Sequence, residues 1–292
     1  MKIGLFFPLA NPAATPAFLR SLGETAEAAG FHSIWAPEHI VLFDDYGSQY
    51  PYSDDGRIPI GGDVGMLEPF GTLSFLAAVT SRIRLGTGIC LVPQRNPVYT
   101  AKEVANLDWL SEGRVDFGIG VGWLAEEFKA VSAEFDRRGA RCDAYIDVMK
   151  TLWCDETSEY KGEFYELPAC RQYPKPIQTP HPPLYFGGES DAALRRVARV
   201  GQGWYGFNLE PDEFANRLAR LDELLAENDR KREEIDVSLS PYLKGCDLDK
   251  VKRYRDAGAD QVILLAAASD EDGMRSAIEE LVESIVEPAR SL

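Results

Sequence analysis

A strand, a helix and a second strand follow one another between residues 82 and 123 of this sequence. The strand-like run at residues 83–90 leads into a loop broken by two prolines, and a helical pattern of apolar residues continues to Gly113. A second strand-like run, at residues 115–119, ends among glycines. Units of this kind build parallel sheets covered by helices, and such sheets bind ligands at the carboxyl ends of their strands. We therefore expect the functional site where these two runs end.

The same alternation of short strands and helices extends along the whole chain. Strand-like runs are predicted at residues 2–7, 33–36, 83–90, 115–119, 184–186, 203–207, 235–239 and 261–265, and a helical pattern follows each of them. Eight such pairs in 292 residues favour a single closed (β/α)8 TIM barrel over an open doubly wound sheet, which is the main competing architecture. One domain is expected to span residues 1–292, with an insertion at residues 155–182 between the fourth helix and the fifth strand.

The segment at residues 40–63 interrupts this alternation. It is rich in tyrosine, aspartate, glycine and proline, and it carries no helical or strand-like pattern. Loops of this length inside a compact domain usually bind a ligand or move. We therefore expect an extended loop that lies above the sheet.

Charge, hydropathy and cysteine spacing indicate which kinds of partner this protein can bind and in which cellular compartment it is expected. Lysine plus arginine number 31 against 47 aspartate plus glutamate, a net charge of −16, so neither nucleic acid nor an anionic membrane is an expected partner. No run of 18 apolar residues is present, which argues against a membrane span. The five cysteines lack CxxC spacing, and the three histidines lack the spacing of zinc ligands. We predict a cytoplasmic protein with reduced thiols, no metal and a small-molecule substrate.

Two glycine-rich turns follow predicted strands. Gly118, Gly120 and Gly122 form a GxGxG pattern, which differs from the GxGxxG spacing of a dinucleotide-binding turn. Residues 187–190, with the sequence GGES, lead directly into a helix, and a helix N-terminus attracts anions. Glycines here can simply permit tight turns, or they can let backbone N–H groups approach a phosphate. Because both turns lie at strand ends of one barrel, we favour a phosphate clamp.

Four stretches of the sequence resemble the bacterial luciferase-like superfamily. They are TSRIRLGTG at residues 80–88, QRNP at 94–97, LDWLSEGRVDFGIGVGW at 107–123 and PPLYFGG at 182–188. The branch that this chain resembles most uses the 8-hydroxy-5-deazaflavin coenzyme F420. The resemblance covers nearly the whole chain and implies a (β/α)8 barrel with an insertion, in agreement with the count of strands and helices above.

The resemblance also implies where a cofactor lies. In the deazaflavin branch the cofactor phosphate lies near the two glycine turns, and a non-proline cis peptide after the third strand forms a bulge behind the ring. That peptide corresponds to Gly88-Ile89, where an ordinary trans bond is the alternative. The residues assigned to the cofactor in this way are Glu38, His39, Gly88, Ile89, Gly120, Val121, Gly122, Trp123, Phe186, Gly187, Gly188 and Ser190.

Glu38 and His39 are the candidate catalytic residues. They follow the second predicted strand, and the resembling branch usually carries Asp-His or Glu-His at this position beside the ring. The resemblance implies that Glu38 hydrogen-bonds the cofactor or strand amides. His39 can move a proton because its unperturbed pKa lies near neutrality, although a lone histidine is more often structural.

Two positions depart from the sugar-phosphate dehydrogenases of that branch. Phe43 stands where those enzymes carry a tryptophan, and Trp123 stands where they carry a catalytic glutamate, with Glu126 three residues later. Their mechanism is therefore not transferred to this chain. Trp123 is either a wall of the substrate pocket or simple packing. Arg95 either attracts a phosphate or carboxylate, or is a solvated loop residue.

These observations predict an oxidoreductase that transfers a hydride between coenzyme F420 and a small organic substrate. One alternative is an FMN-dependent monooxygenase, in which reduced flavin reacts with oxygen. A second alternative is a barrel that binds a flavin or deazaflavin without catalysis, which the absence of the glutamate after the fourth strand supports. We also expect a homodimer.

Overall fold

Eight parallel strands close into a barrel in this protein, whose computed structural model describes residues 1–292. The strands, β1 to β8 in chain order, are Lys2–Phe6, Ser33–Ala36, Arg84–Thr87, Val115–Gly120, Leu184–Gly187, Gly203–Phe207, Asp236–Ser240 and Gln261–Leu265. Strand β1 pairs with β2 and β8, and the pairing of β3 with β4 closes the ring. The predicted (β/α)8 barrel is therefore confirmed, and the sheet is not open.

A helix follows each barrel strand and covers the outside of the sheet. Helices α1 to α9 are Pro16–Ala29, Pro69–Val79, Pro97–Leu110, Ala125–Ala130, Arg138–Cys154, Asp191–Val200, Pro211–Glu227, Leu248–Asp256 and Glu271–Leu281. Shorter 3-10, π and α turns are Val92–Gln94, Arg232–Glu234, Tyr242–Lys244, Val282–Val286 and Glu287–Ala289. No helix combines the length and the hydrophobicity that crossing a membrane requires.

Four predicted strands, β1, β4, β5 and β7, are displaced by one residue at one or both ends, and three other elements differ more substantially. Strand β3 ends at Thr87; the Gly88–Ile89 peptide is cis, as the resemblance implied, and Cys90–Leu91 then pair with β4 as a separate short strand. Helix α4 was not predicted, because six residues are too few to display a periodic pattern. The last helix, predicted over residues 271–286, is α-helical only to Leu281 and continues as a π turn over Val282–Val286.

Two segments outside the barrel are present as predicted. The insertion forms an antiparallel hairpin, in which Ser158–Lys161 pairs with Glu166–Cys170. The loop at residues 40–63 contains neither helix nor strand. Asn208 Nδ2 donates a hydrogen bond to the Tyr52 carbonyl (3.1 Å), so this loop is fastened to the chain that follows β6.

Trp35 fills the barrel interior. Its ring stacks on Tyr205 with the centroids 4.9 Å apart, and its Nε1–H donates to Ser33 Oγ (2.8 Å). A Cβ on Gly86 would lie 2.4 Å from this ring, and a Cβ on Gly118 would lie 1.9 Å from a backbone oxygen of β3. Packing inside the barrel therefore requires glycine at both positions. Gly118 belongs to this packing and not to a turn.

Candidate active site

A cavity opens at the carboxyl end of the barrel, the end at which barrels of this type carry their active sites. Its volume is about 270 Å³, close to the lower limit of the roughly 300–1,000 Å³ of small-molecule sites. Residues at or just after the ends of β1 to β7 line it. The wall includes nine of the twelve residues that the sequence assigned to a cofactor, namely Glu38, His39, Gly88, Ile89, Val121, Gly122, Trp123, Gly187 and Gly188.

The other three assigned residues, Gly120, Phe186 and Ser190, are not in the cavity wall. Side chains alternate between the two faces of a strand, and Phe186 points outward into the core between sheet and helices, where it approaches Gly201. Ser190 is the N-cap of α6, and its Oγ accepts a hydrogen bond from the Ala193 N–H (3.2 Å). Gly120 lies within β4, where the side chain of Ile89 covers it.

The side chain of Ile89 extends between the ends of β4 and β5. A Cβ on Gly120 would lie 2.1 Å from Ile89 Cδ1, and a Cβ on Gly187 would lie 2.7 Å from the same atom. Glycine at these two positions therefore leaves room for Ile89. Gly122 and Gly188 adopt φ angles of +78° and +104° and both line the cavity, so the backbone conformation itself favours glycine there.

Glu38 anchors the chain that follows β3. Its buried carboxylate accepts a hydrogen bond from the Leu91 N–H (2.5 Å) and forms an ion pair with Arg95. Burial raises the pKa of Glu38, and the Arg95 guanidinium and the Leu91 N–H oppose that rise. Arg95 also pairs with Glu68 (3.2 Å) and Glu103 (2.8 Å). Arg95 is therefore neither a solvated residue nor a free anion ligand, because three carboxylates surround it.

Glu127 holds His39 in the cavity wall. Its carboxylate is 0 % exposed, and Oε2 lies 3.2 Å from His39 Nδ1. It also accepts hydrogen bonds from the Ile40 N–H (2.6 Å) and from Gln94 Nε2 (3.1 Å). Burial alone would raise the pKa of Glu127, but His39, Gln94 and the Ile40 N–H together bring that pKa below its ordinary value. Glu127 is therefore an ionised acceptor, and His39 Nδ1 donates to it.

This contact fixes the tautomer of neutral His39. With Nδ1–H directed at Glu127, the lone pair lies on Nε2, which makes no hydrogen bond to any other residue of the chain. His39 lines the cavity, so Nε2 can accept a proton from a bound molecule. The carboxylate behind the ring then stabilises the imidazolium.

Glu126 was noted in the sequence, but its neighbour Glu127 was not predicted to take part in the site. In helix α4 the Glu126 carboxylate instead accepts hydrogen bonds from the Gly47 N–H (2.7 Å) and from Ser48 Oγ (2.7 Å), which anchors the loop. The signal was present in the order LAEEF, because Glu127 follows Leu124 by three residues and precedes Phe128. Leu124 and Phe128 are both buried, so one face of the helix carries all three side chains.

Trp123 is part of the pocket wall, one of its two predicted roles. Its ring meets the rings of Tyr50, Tyr46 and His39 edge-on, with centroids 5.1, 5.6 and 5.9 Å apart. Tyr46 and Tyr50 belong to the loop at residues 40–63. This loop therefore covers the cavity through packing against Trp123.

Glu189 is a second carboxylate that the sequence analysis did not single out. It accepts hydrogen bonds from Tyr52 Oη (3.0 Å) and from the Phe207 N–H (2.8 Å). Burial raises its pKa from 4.5 to about 7, against the opposing effect of these hydrogen bonds. Tyr52 and Phe207 line the cavity. Glu189 thus joins the covering loop to the ends of β5 and β6 through a group that titrates near neutral pH.

Comparison of sequences relates this chain to known proteins. Residues 1–243 match the luciferase-like monooxygenase family. The uncharacterized protein Rv0940c of Mycobacterium tuberculosis is 35 % identical over 253 residues, which cover 85 % of this chain and 84 % of that protein. The FMNH(2)-dependent dimethylsulfone monooxygenase of Pseudomonas putida is 28 % identical over 237 residues, which cover 80 % of this chain and 60 % of that enzyme.

Solved structures share the fold over almost the entire chain. The monooxygenase RslO1 from Streptomyces bottropensis gives a TM-score of 0.79 at 22 % identity and covers 99 % of this chain and 100 % of its own. The coenzyme F420 dependent tetrahydromethanopterin reductase from Methanopyrus kandleri gives 0.75 at 18 % identity, with 98 % and 99 % covered. Because the family match spans most of the chain and a relative is 35 % identical over most of both sequences, this protein belongs to the luciferase-like monooxygenase family.

Proposed function

We propose that this chain is an oxidoreductase that transfers a hydride between coenzyme F420 and a small organic substrate. The observation that carries the proposal is the His39–Glu127 pair, which places a proton acceptor in the wall of the cavity that the Gly88–Ile89 peptide also lines. Oxidation of an alcohol by hydride loss also releases a proton, so a positioned acceptor is what such a reaction requires of the protein. The family is described as luciferase-like monooxygenases, one relative is named as FMNH(2)-dependent, and one solved structure of the same fold is named as coenzyme F420 dependent.

The cavity contains a donor suited to a flavin-type ring. Tyr205 lines the cavity, and its buried Oη lies close to Ser240 Oγ, although neither hydroxyl makes a hydrogen bond of full geometry. A buried hydroxyl without a full hydrogen bond costs free energy, which a ligand with a polar edge would recover. No lysine or arginine lines the cavity, so the amides at Gly188 and at the start of α6 are the groups that would hold a phosphate.

The deazaflavin supplies two-electron hydride chemistry when it is bound, and the chain supplies binding, orientation and proton transfer. His39 Nε2 accepts the hydroxyl proton of an alcohol in one direction and returns it to a carbonyl oxygen in the other. Glu127 stabilises the protonated ring between these events. Glu38 and Arg95 hold the segment that carries Ile89, and the loop at residues 40–63 limits entry of water.

A flavin monooxygenase is the second candidate function. The relative from Pseudomonas putida, which is named as FMNH(2)-dependent, favours it. FMN also carries a tricyclic ring and one phosphate, so the amides near Gly188 suit both cofactors. The Glu38-His39 pair supports the deazaflavin, because the F420-dependent branch that this chain resembles usually carries Asp-His or Glu-His at this position.

Cofactor titration separates these functions. Trp123 lies in the wall, so its fluorescence should be quenched when either cofactor binds. We expect low-micromolar or tighter binding of F420 and at least tenfold weaker binding of FMN, a difference of about 1.4 kcal/mol. FMN binding as tight as that of F420 would favour the monooxygenase. Tight F420 binding without turnover across a substrate screen would favour the non-catalytic barrel.

A further inference from the structure

The wall of the cavity is predominantly apolar and aromatic. Thirteen of its 22 lining residues are hydrophobic. The covering loop contributes Tyr50, Tyr52, Ile58 and Ile60, and the barrel rim contributes Phe6, Phe207 and Tyr242. A substrate that enters beside a bound cofactor therefore exchanges water for carbon surface over most of its area.

The aromatic rings form a continuous wall and not an open cage. Tyr52 meets Phe207 with the centroids 4.9 Å apart, and Phe207 meets Tyr242 at 4.5 Å. Tyr50 in turn packs against Tyr52 at 5.5 Å and against Trp123 at 5.1 Å. Cation recognition by aromatic residues depends on ring faces turned toward the charge. In this wall the aromatic rings pack against one another, so their faces contact neighbouring rings and are not turned toward a bound cation.

The acidic side chain that lines this wall is already paired inside the protein. Glu38 lines the cavity but is bound to Arg95, and Arg95 is shared among three carboxylates. Arg138 donates through Nε to the Gly122 carbonyl (2.9 Å) and is not part of the wall. An anion placed against these rings would lose its hydration without gaining a counter-charge, which is costly. The backbone N–H groups that suit an anion lie at the start of α6, where the cofactor phosphate is proposed to bind.

We propose that the cavity takes an uncharged, largely apolar substrate with one carbonyl or hydroxyl oxygen, directed at His39, and not a phosphorylated or carboxylated metabolite. The proposal deepens the function proposed above, because His39 then faces the oxygen whose proton it moves. The selection against charge follows from the wall alone. It therefore holds whichever flavin-type cofactor the barrel binds.

Three probes of nearly the same size test the charge preference. Acetophenone is neutral, benzoate carries a negative charge and benzamidine carries a positive charge on a similar benzene frame. Their affinities are measured by tryptophan fluorescence on the whole protein, with and without saturating F420. We expect acetophenone to bind at least tenfold more tightly than either ion. Benzoate or benzamidine binding that equals or exceeds acetophenone binding, or no binding of acetophenone up to its solubility limit, overturns the proposal.

Variants that add a positive charge to the wall test whether the wall itself disfavours anions. Ile60→Arg and Ile58→Arg alter two half-buried loop positions that line the cavity, so at least one is expected to fold. Either folded variant should bind benzoate at least tenfold more tightly than the wild type does. Unchanged benzoate affinity in both folded variants would overturn the proposal, because the wall of this cavity would then not set the preference for uncharged molecules. The cofactor titration is scored separately, so a barrel that fails to bind F420 but prefers acetophenone rejects only the proposed cofactor.

Discussion

Glu127 Oε2 lies 3.2 Å from His39 Nδ1, although 87 residues lie between Glu127 and His39 in the sequence. The short helix α4 brings the carboxylate to the imidazole, and the Ile40 N–H fastens the same carboxylate to the start of the covering loop. One buried charge thus positions both the proton acceptor and the chain that closes the cavity. Its removal should affect chemistry and loop order together.

Replacement of Glu127 by Gln tests this role of Glu127 as a positioning residue. The variant keeps a side chain of the same size but loses the negative charge that stabilises the His39 imidazolium. We expect turnover to fall by roughly tenfold or more and the pH–rate profile to change. The matched control is Glu126→Gln, since Glu126 contacts only the loop around Ser48 and not His39. A profile that is identical in both variants would reduce Glu127 to a loop anchor.

His39→Ala removes the proton acceptor itself. We expect turnover to fall by roughly a hundredfold or more, the usual scale for a general acid–base group. Cofactor affinity should change much less, because the amides near Gly188 and Tyr205 Oη remain in place. Stopped-flow turnover and a fluorescence titration measure the two quantities on one preparation. An unchanged rate with a working substrate would assign His39 to packing.

The barrel was predictable because its signals are local. Strand β2, at Ser33–Ala36, and helix α6, at Asp191–Val200, have the predicted bounds, since caps and breakers lie directly beside them. The site was less predictable, because its contacts join distant residues. Arg95 reaches Glu38 and Glu68, 57 and 27 positions away, and no sequence pattern records such pairs.

Strand alternation explains why Phe186, one of the residues assigned to the cofactor, does not line the cavity. Phe186 was placed with Gly187 because both occur in one motif, yet neighbouring side chains of a strand point to opposite faces. Tyr185 therefore packs inside the barrel with Trp35, and Phe186 packs outside it. Glu127 shows the opposite case, in which the helical spacing of LAEEF held usable information.

Gly118→Ala tests the claim that glycine at this position serves barrel packing. The added Cβ would lie 1.9 Å from a backbone oxygen of β3, so strands β3 and β4 must separate. We expect a loss of roughly 3 kcal/mol or more of unfolding free energy, at the upper end of overpacking effects. Gly71→Ala is the control, since its Cβ would approach only the end of the Glu68 side chain, at 3.4 Å within helix α2. Chemical denaturation of both variants measures the difference, and equal stability would contradict the packing argument.

Glu27 should govern part of the resistance to acid. Its carboxylate accepts hydrogen bonds from the N–H groups of Ser81, Arg82 and Ile83, and it joins α1 to the start of β3. Burial alone would raise the pKa of Glu27, but these three N–H groups lower it from 4.5 to about 2. A lowered pKa means that the stabilisation is complete above pH 4.5 and is lost as the pH falls toward 2.

Glu27→Gln is therefore expected to lower the free energy of unfolding at pH 7 by roughly 1–2 kcal/mol, because solvent contact screens part of the interaction that shifts its pKa. The gap between wild type and variant should close as the pH is lowered from 4.5 to 2. Glu24→Gln, on the exposed side of the same helix, should leave the acid transition unchanged. Urea denaturation at several pH values measures these gaps. A gap that stays constant across the acid range would show that the charge of Glu27 is not the stabilising feature.

Glu189 should produce the opposite pH dependence. Its pKa is raised from 4.5 to about 7 by burial, so the folded state favours the protonated form. For a raised pKa, the stabilisation is complete below pH 4.5 and is lost as the pH rises through 7. Wild type should therefore lose up to roughly 3 kcal/mol between pH 5 and pH 8 relative to Glu189→Gln, which cannot ionise.

The loss should begin in the covering loop, because Tyr52 Oη and the Phe207 N–H hold the Glu189 carboxyl group between loop and barrel. Hydrogen exchange at residues 40–63 should consequently be faster at pH 8 than at pH 5 in wild type, after correction for intrinsic exchange. Glu189→Gln should abolish that difference, whereas Glu223→Gln, on the exposed surface of α7, should preserve it. Thermal unfolding of the three proteins at both pH values supplies the matching stabilities. Loop exchange that responds to pH equally in all three would assign the titration to another group and leave Glu189 as a fixed anchor.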